Sequence, residues 1–372
     1  MIVAPIITQL SDLFGRRLTF LIPLYIAVIS NLICAVAPNY VIFLIFRFFA
    51  GVATTGFSVI GFVLCMESVA LEFRSLIPFM GTITWVIGYV SAGLLRLVIT
   101  NWRWLYFAVS VPGLLTIPYI RTSSRFNGVE IPLQECKSSN NIGSERLKRT
   151  VFDMLKSPAL VLHLVLNSYI LVVMNGTYWA LSLFSTELSD DKMTGFFLSG
   201  LVELPAGLVS IVLLIYLDRK TVSFLSLVLQ AFSMVCALYL PKQTAMIFPL
   251  MAKVFNSIAW SSQPLLYTES TPTSVRNVFC GVVGFFGDFG SVLAPYFKRL
   301  ETIHKSAPAL VIAAMSVTSA LIVLVLPETK DKKLPEDIDD LDPGPLVRWM
   351  TKNKKKMKKN DSQNDNVSKL TP

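Results

Sequence analysis

Histidine is nearly absent: His163 and His304 are the two in 372 residues. The five cysteines are scattered, and no Cys/His cluster has the spacing of metal ligands. Cys34, Cys65, Cys236 and Cys280 lie inside apolar runs, which argues against a disulfide framework, while Cys136 sits in a polar stretch and reads as a free thiol. Charge is scarce too. Asp, Glu, Lys and Arg make up 15% of the chain, well below a soluble domain. There is no Walker-type glycine loop to cradle a phosphate, so no ATP-driven step is expected. No nucleophile and base stand in an enzyme-like pattern, and no secretory signal is visible. No cofactor is expected. The net charge of +9 is not a nucleic-acid signal, because Lys and Arg gather in a few loops and in the tail.

What is abundant is apolar sequence. The chain is 53% hydrophobic, with a mean hydropathy of +0.60. About 20 apolar residues make a membrane-crossing helix. Runs of that kind fall at 18–37, 41–66, 76–98, 103–120, 159–184, 192–217, 221–240, 245–268, 277–297 and 306–326. They predict an all-α, polytopic helical membrane protein. Met1–Leu10 is apolar but too short to span, and reads as the end of a helix that begins outside this sequence. The predicted organisation is a partial helical bundle over 1–120, a cytoplasmic loop over 121–158, a six-helix bundle over 159–326 and a cytoplasmic tail over 327–372.

Orientation follows from the basic loops. Arg16, Arg17, Arg74, the 121–157 stretch, Arg219, Lys220, Arg276 and the tail all fall on one side. Positive-inside bias makes that side cytoplasmic. The tail cluster KNKKKMKK (Lys352–Lys359) reads as a solvated segment or as a contact for anionic lipid. Asn175-Gly-Thr177 has the letters of a glycosylation sequon but lies inside a predicted span, so it is expected to be unmodified.

An internal repeat is readable. Asp12-Leu-Phe-Gly-Arg-Arg17 follows one span, and Asp218-Arg219-Lys220 follows another in the second half. Some way after each comes a Glu with an Arg seven positions on: Glu67 with Arg74, and Glu269 with Arg276. Two equivalent halves imply parallel repeats with a binding site between them near the midplane. One ionisable residue already stands out there. In Cys280–Tyr296 (CGVVGFFGDFGSVLAPY), Asp288 is the single charged residue. An acid at that depth is costly and usually faces a polar cavity or a partner. It is either a structural carboxylate, paired with Lys253 or a helix dipole, or a counter-charge for a cationic ligand.

Several motifs carry a resemblance. SDLFGRR (Ser11–Arg17) resembles the loop signature of the major facilitator superfamily, and Arg47-Phe-Phe-Ala-Gly51 resembles its Arg-x-x-x-Gly helix start. Four further stretches narrow the resemblance to the organic cation, anion and carnitine transporters. They are NWRWLYFAVSVPGLL (Asn101–Leu115), FFLSGLVELPA (Phe196–Ala206), YTESTPTSVRNVFCG (Tyr267–Gly281) and LPETKDKKL (Leu326–Leu334). That family has twelve helices, so helix 1 and most of helix 2 would be absent here, as in an N-terminally truncated form. The second loop signature has lost its glycine, and the motif after helix 6 is degraded to Arg121-Thr-Ser-Ser-Arg125.

The resemblance implies site residues. Cation-carrying relatives tend to have Asp where Asp288 stands, and anion and carnitine carriers tend to have Arg. Glu203 matches an acid that the cation carriers share, although a helix–helix hydrogen bond would also explain it. Tyr178 and Trp85 match cavity-lining positions, with Phe62 and Thr82 as weaker matches; packing or lipid contact is the plainer alternative for each. A second group lies at cytoplasmic helix ends: Asp12, Arg16, Arg17, Glu67, Arg74, Asp218, Arg219, Glu269, Arg276 and Glu328. Its charges could pair and separate as the protein changes state, or simply set topology. Lys253 and Arg47, inside spans, need partners that the sequence does not identify.

The implied function is transport of organic cations by alternating access, in the plasma membrane. The alternatives are carriage of anions or zwitterions such as carnitine, or a non-transporting truncated isoform. The implied partners are a small organic ion and the bilayer, with no nucleic acid and no cofactor; no oligomeric state is implied. The orientation has a direct test. Cys136 in intact cells should resist an impermeant maleimide and react after permeabilisation; strong labelling beforehand would reverse the topology.

Overall fold

A computed structural model of the chain describes residues 16–69, 76–114, 157–187, 192–239 and 247–330, with isolated positions beside them. Asp12, Arg74, Cys136, the 121–156 stretch and Lys352–Lys359 lie outside the described residues, as do the side chains of Arg16, Arg17 and Glu67. Among the described residues there are eleven α-helices, one short 3-10 helix (Lys298–Thr302) and no strand. A bilayer offers no partner to an exposed N–H or C=O, so spanning segments close their hydrogen bonds within themselves.

The first half holds α1 (Arg16–Val36), α2 (Tyr40–Ser68), α3 (Leu76–Val98) and α4 (Trp102–Leu114). The second holds α5 (Pro158–Glu187), α6 (Lys192–Leu201), α7 (Glu203–Tyr216), α8 (Arg219–Tyr239), α9 (Ile247–Ser270), α10 (Arg276–Phe297) and α11 (Ala307–Val325). The expected single helix at 192–217 is interrupted at Val202. Pro205 has no N–H to offer the carbonyl four residues back, which loosens the ladder at this point. The break sets Glu203 in the first turn of α7.

Among the described residues, eight segments are long and apolar enough to cross a bilayer, and the chain is a multi-pass membrane protein. α4, described over 13 residues, and α9 are not among the eight. In α9 the reason is chemical. This 24-residue helix carries Lys253, Asn256, Ser257, Ser261, Ser262, Gln263, Thr268 and Glu269, all buried. It is surrounded by protein instead of lipid, where polar side chains can find partners.

Three kinds of contact position the site. α10 lies against α5 through glycines: a Cβ on Gly290 would strike the Val172 carbonyl oxygen and come within 2.7 Å of the Gly176 nitrogen. Leu160, Leu164 and Leu171 of α5 pack beside this contact with Val278, Phe279 and Val283 of α10. The halves meet through α3. Tyr89 lies over Gly200 of α6, and Thr82 lies over Gly207 of α7. Nearer the α7–α8 turn, Met66 of α2 joins a buried cluster with Ala206, Leu214, Val222, Ile258 and Leu265 of the second half.

The glycine contact gives a paired prediction. Gly290→Ala should destabilise the protein by about 1–3 kcal/mol, as overpacking does. Gly51, with nothing within 4 Å of a built Cβ, is the control. Gly51→Ala should be neutral or stabilising by about 0.5–1 kcal/mol, the usual helix preference. Unfolding temperatures of the two purified variants check the contrast.

Candidate functional site

The centre of the second half holds a buried ion pair. Lys253 Nζ of α9 is 2.9 Å from Glu203 Oε1 of α7. Lys253 is wholly buried and Glu203 is 3% exposed. Two charges removed from water need good geometry and further hydrogen bonds to compensate for desolvation. Both have them. The ammonium donates to the Ser199 carbonyl at 3.0 Å and to Ser199 Oγ at 2.5 Å. It also lies over two ring faces, 5.2 Å from the centroid of Tyr178 and 5.5 Å from that of Tyr89. On the other side, the Tyr178 hydroxyl donates to Glu203 Oε1 at 2.8 Å.

A chain of hydrogen bonds continues into the first half. Trp85 Nε1 of α3 donates to the Tyr178 oxygen at 2.9 Å. One helical turn along α3, Tyr89 stacks on Phe196 of α6, with centroids 4.1 Å apart and planes 12° from parallel. Trp85 and Tyr89 thus tie α3 to the second half on either side of the ion pair. Both also line a cavity of about 1080 Å³ between α2 and α3, with Phe57, Phe62 and Phe73 among its walls.

The structure therefore brings together three of the expected site residues, Trp85, Tyr178 and Glu203. It places the others elsewhere. Phe62 lines the cavity and packs against the Met66 cluster. Thr82 makes no contact with the ion pair among the described residues: its hydroxyl donates to the Pro78 carbonyl at 3.0 Å, and its methyl packs toward Gly207. Asp288 is half-buried on α10, and its carboxylate has no hydrogen bond or ion pair to another described residue. Pairing of Asp288 with Lys253 is thereby overturned, since the ammonium is committed to Glu203 and Ser199. Gly284, one turn before Asp288 on the same face, looks toward Val59 of α2.

Lys253, Tyr89 and Ser199 are the members that sequence reading did not join to the site. Tyr89 follows Trp85 by four positions, a spacing that puts both on one helix face. Arg47 also gains a contact, over the Tyr106 ring at 5.6 Å. A turn along α9 from Lys253, Asn256 donates to Thr177 at 2.8 Å and to Gln230 at 3.2 Å, which fixes the register of α9 against α5 and α8.

A second constellation closes the α8 end of the bundle. Arg219 Nε is 3.4 Å from Glu269 Oε2, and the Thr329 hydroxyl donates to the same carboxylate at 2.7 Å. Glu328 accepts the backbone N–H groups of Lys220, Thr329 and Lys330 at 3.0, 2.9 and 3.1 Å. Its carboxylate thus stands at the first turn of α8, where donors without helical partners favour an anion. Arg276 donates back to the Thr268 and Thr271 carbonyls at 2.9 and 3.0 Å. Asp218 is exposed, and its backbone carbonyl takes the Val222 N–H.

Comparison with known proteins places this architecture. Residues 1–295 match the profile of the Major Facilitator Superfamily. The chain is 30% identical over 365 residues to a putative transporter of Caenorhabditis elegans, covering 91% of this chain and 63% of that protein. It is 28% identical over 368 residues to the organic cation transporter protein of Drosophila melanogaster, covering 89% and 67%. It is 27% identical over 366 residues to solute carrier family 22 member 2 of Rattus norvegicus, covering 91% and 66%. The chain thus spans about two-thirds of the length of these curated relatives. Among solved structures, it resembles the proton:xylose symporter XylE bound to 6-bromo-6-deoxy-D-glucose, with a TM-score of 0.71 and 16% identity, covering 90% of this chain and 86% of that one. At that identity the likeness is one of fold.

The ion pair predicts a thermodynamic asymmetry. Lys253→Met leaves Glu203 buried without a counter-charge and should destabilise by about 3–5 kcal/mol. Adding Glu203→Gln should recover most of the loss, because the charge that needed a partner is gone. Unfolding temperatures of both single variants and the double variant, measured in one detergent, test this.

Proposed function

The chain belongs to the major facilitator superfamily, and on that premise we propose that it carries small organic cations across a membrane by alternating access of its two halves. The observation that carries this reading is Asp288. It is a half-buried carboxylate in the middle of α10 with no partner among the described residues. A permanent cation in a low-dielectric passage needs an anion or π-faces beside it. Among the described residues the central ion pair is neutral as a unit, and Asp288 adds a negative charge that none of them offsets by an ion pair. Apart from Asp288, which is not in its lining, the cavity lined by Phe57, Phe62, Phe73, Trp85 and Tyr89 supplies aromatic faces, and about 1080 Å³ is room for a drug-sized ion. Carriage of anions would need a buried cation free to bind them, whereas Lys253 is held by Glu203 and Ser199. The names of two relatives, organic cation transporter protein and solute carrier family 22 member 2, support the same reading.

Alternating access asks the contacts between halves to break and re-form. Two lie at different depths: the Trp85–Tyr178 hydrogen bond near mid-membrane, and the Met66 cluster toward the α7–α8 turn. The Arg219–Glu269 pair and the Glu328 cap hold α8, α9 and the segment after α11 together at that end. We assign Asp12, Arg16, Arg17, Glu67 and Arg74 the corresponding task in the first half, on the strength of the sequence repeat. The reading places the protein in the plasma membrane with its C-terminus in the cytoplasm.

The test is uptake of tetraethylammonium in oocytes, with surface protein measured beside it. Asp288→Asn keeps size and polarity but removes the charge. A charge-assisted contact contributes about 1.5–3 kcal/mol, so apparent affinity should fall roughly tenfold or more. Normal surface expression with unchanged affinity would refute the cation-site assignment.

A further inference from the structure

Arg47 stands in a membrane-crossing helix without a counter-charge. It is exposed on α2, and among the described residues no carboxylate or carbonyl accepts from it. Its guanidinium lies over the Tyr106 ring of α4, 5.6 Å from the centroid, and Phe43 and Trp102 meet that ring edge-on at 5.8 and 6.2 Å. A ring face leaves the in-plane N–H donors unused, and that fork fits phosphate oxygens two at a time. The depth fits as well. The span Tyr40–Met66 has 27 residues, about 40 Å of helix against a hydrocarbon core of about 30 Å, so its ends overhang. Arg47 is seven residues from the Tyr40 end, about 10 Å along the axis, and a side chain of that length reaches back to the phosphate level.

Below Arg47 the same face of α2 is open. Gly51, Thr54, Ser58 and Cys65 follow Arg47 at steps of three, four and seven residues, which keep to one side of a helix. All four are exposed, and a Cβ built on Gly51 meets nothing within 4 Å. The Thr54 and Ser58 hydroxyls donate back to the Ala50 and Thr55 carbonyls, so neither asks for a polar partner. Ser58 and Cys65 line the cavity between α2 and α3, and none of its described lining residues is charged. A cation near the membrane surface above an uncharged trough matches an anionic head with an apolar tail. We propose that this face holds one phospholipid, with its phosphodiester on Arg47 and an acyl chain running past Gly51 toward the cavity. Neither Asp288 nor the Glu203–Lys253 pair takes part, and the lipid is read out by binding, so the assignment stands or falls apart from the transport reading.

The experiment measures the lipid retained by the purified chain. Protein stripped of lipid in detergent is titrated with dioleoylphosphatidylglycerol and followed by native mass spectrometry. The unaltered protein should take up a first, tightest lipid. Arg47→Gln should weaken that binding roughly tenfold or more, as loss of a charge-assisted contact does. Gly51→Leu keeps the arginine and fills the open space beside it. It should weaken the first lipid too, and it carries the test alone should Arg47→Gln not fold. Dioleoylglycerol has the tails without the phosphate, and glycerophosphate has the head without the tails; neither should displace the bound lipid. No tight first lipid on the unaltered protein, or equal affinity in a folded variant, would overturn the proposal. So would displacement by dioleoylglycerol, which marks a merely apolar groove, or by glycerophosphate, which marks a site for free phosphate.

Discussion

The attraction between Glu203 and Lys253 organises the middle of this protein because neither charge can remain there without the other. Removing an ion from water costs several kcal/mol even after relaxation. The pair at 2.9 Å offsets that cost only while α7 and α9 keep their relative depth. Other features follow from the need to hold it. The break at Val202 places Glu203 at the start of a helix, where backbone dipoles favour an anion. Gly200 makes room for Tyr89, whose ring covers the ammonium. Trp85 fixes the Tyr178 hydroxyl, which in turn satisfies the carboxylate.

The halves are therefore joined beside the ion pair by directional contacts and nearer the α7–α8 turn by a non-directional one. A hydrogen bond such as Trp85–Tyr178 has a defined length and angle and is lost over a short displacement. The apolar cluster around Met66 tolerates sliding, because its energy follows buried area. A rocking motion about the Met66 end would break the first while deforming the second.

Much of this was legible in the sequence, and the limits have physical causes. Hydropathy located the helices because a bilayer imposes length and apolarity on each of them. It was least informative for α9, whose Lys253, Asn256 and Gln263 face protein, and protein imposes no such rule. The cost of an intramembrane charge singled out Asp288, Glu203 and Lys253 individually. It could not join Glu203 to Lys253, since the two are on different helices and periodicity fixes the face of a residue, never the neighbour opposite. The repeated Glu–Arg spacing located Glu269 and Arg276 at a helix end, but not their different partners, Arg219 for one and the Thr268 and Thr271 carbonyls for the other. The Pro205 interruption is visible as a proline within an apolar run, yet hydropathy alone makes that run one continuous span.

The polarity of α9 has a consequence for how the protein is made. A lysine opposes insertion of a helix, by about 2.5–3.5 kcal/mol at the centre and by less toward an end such as that where Lys253 stands in α9, and the amides beside it add to that. The partners of these groups come earlier in the chain. Glu203 and Ser199 accept from Lys253, Thr177 and Gln230 accept from Asn256, Ser223 donates to Ser262, and Asn167 accepts from Gln263. A chain synthesised from its N-terminus has therefore already placed every one of these acceptors and donors in the membrane when α9 emerges. The helix can enter against a prepared polar wall instead of bare lipid, so the order of synthesis becomes part of what makes its sequence tolerable.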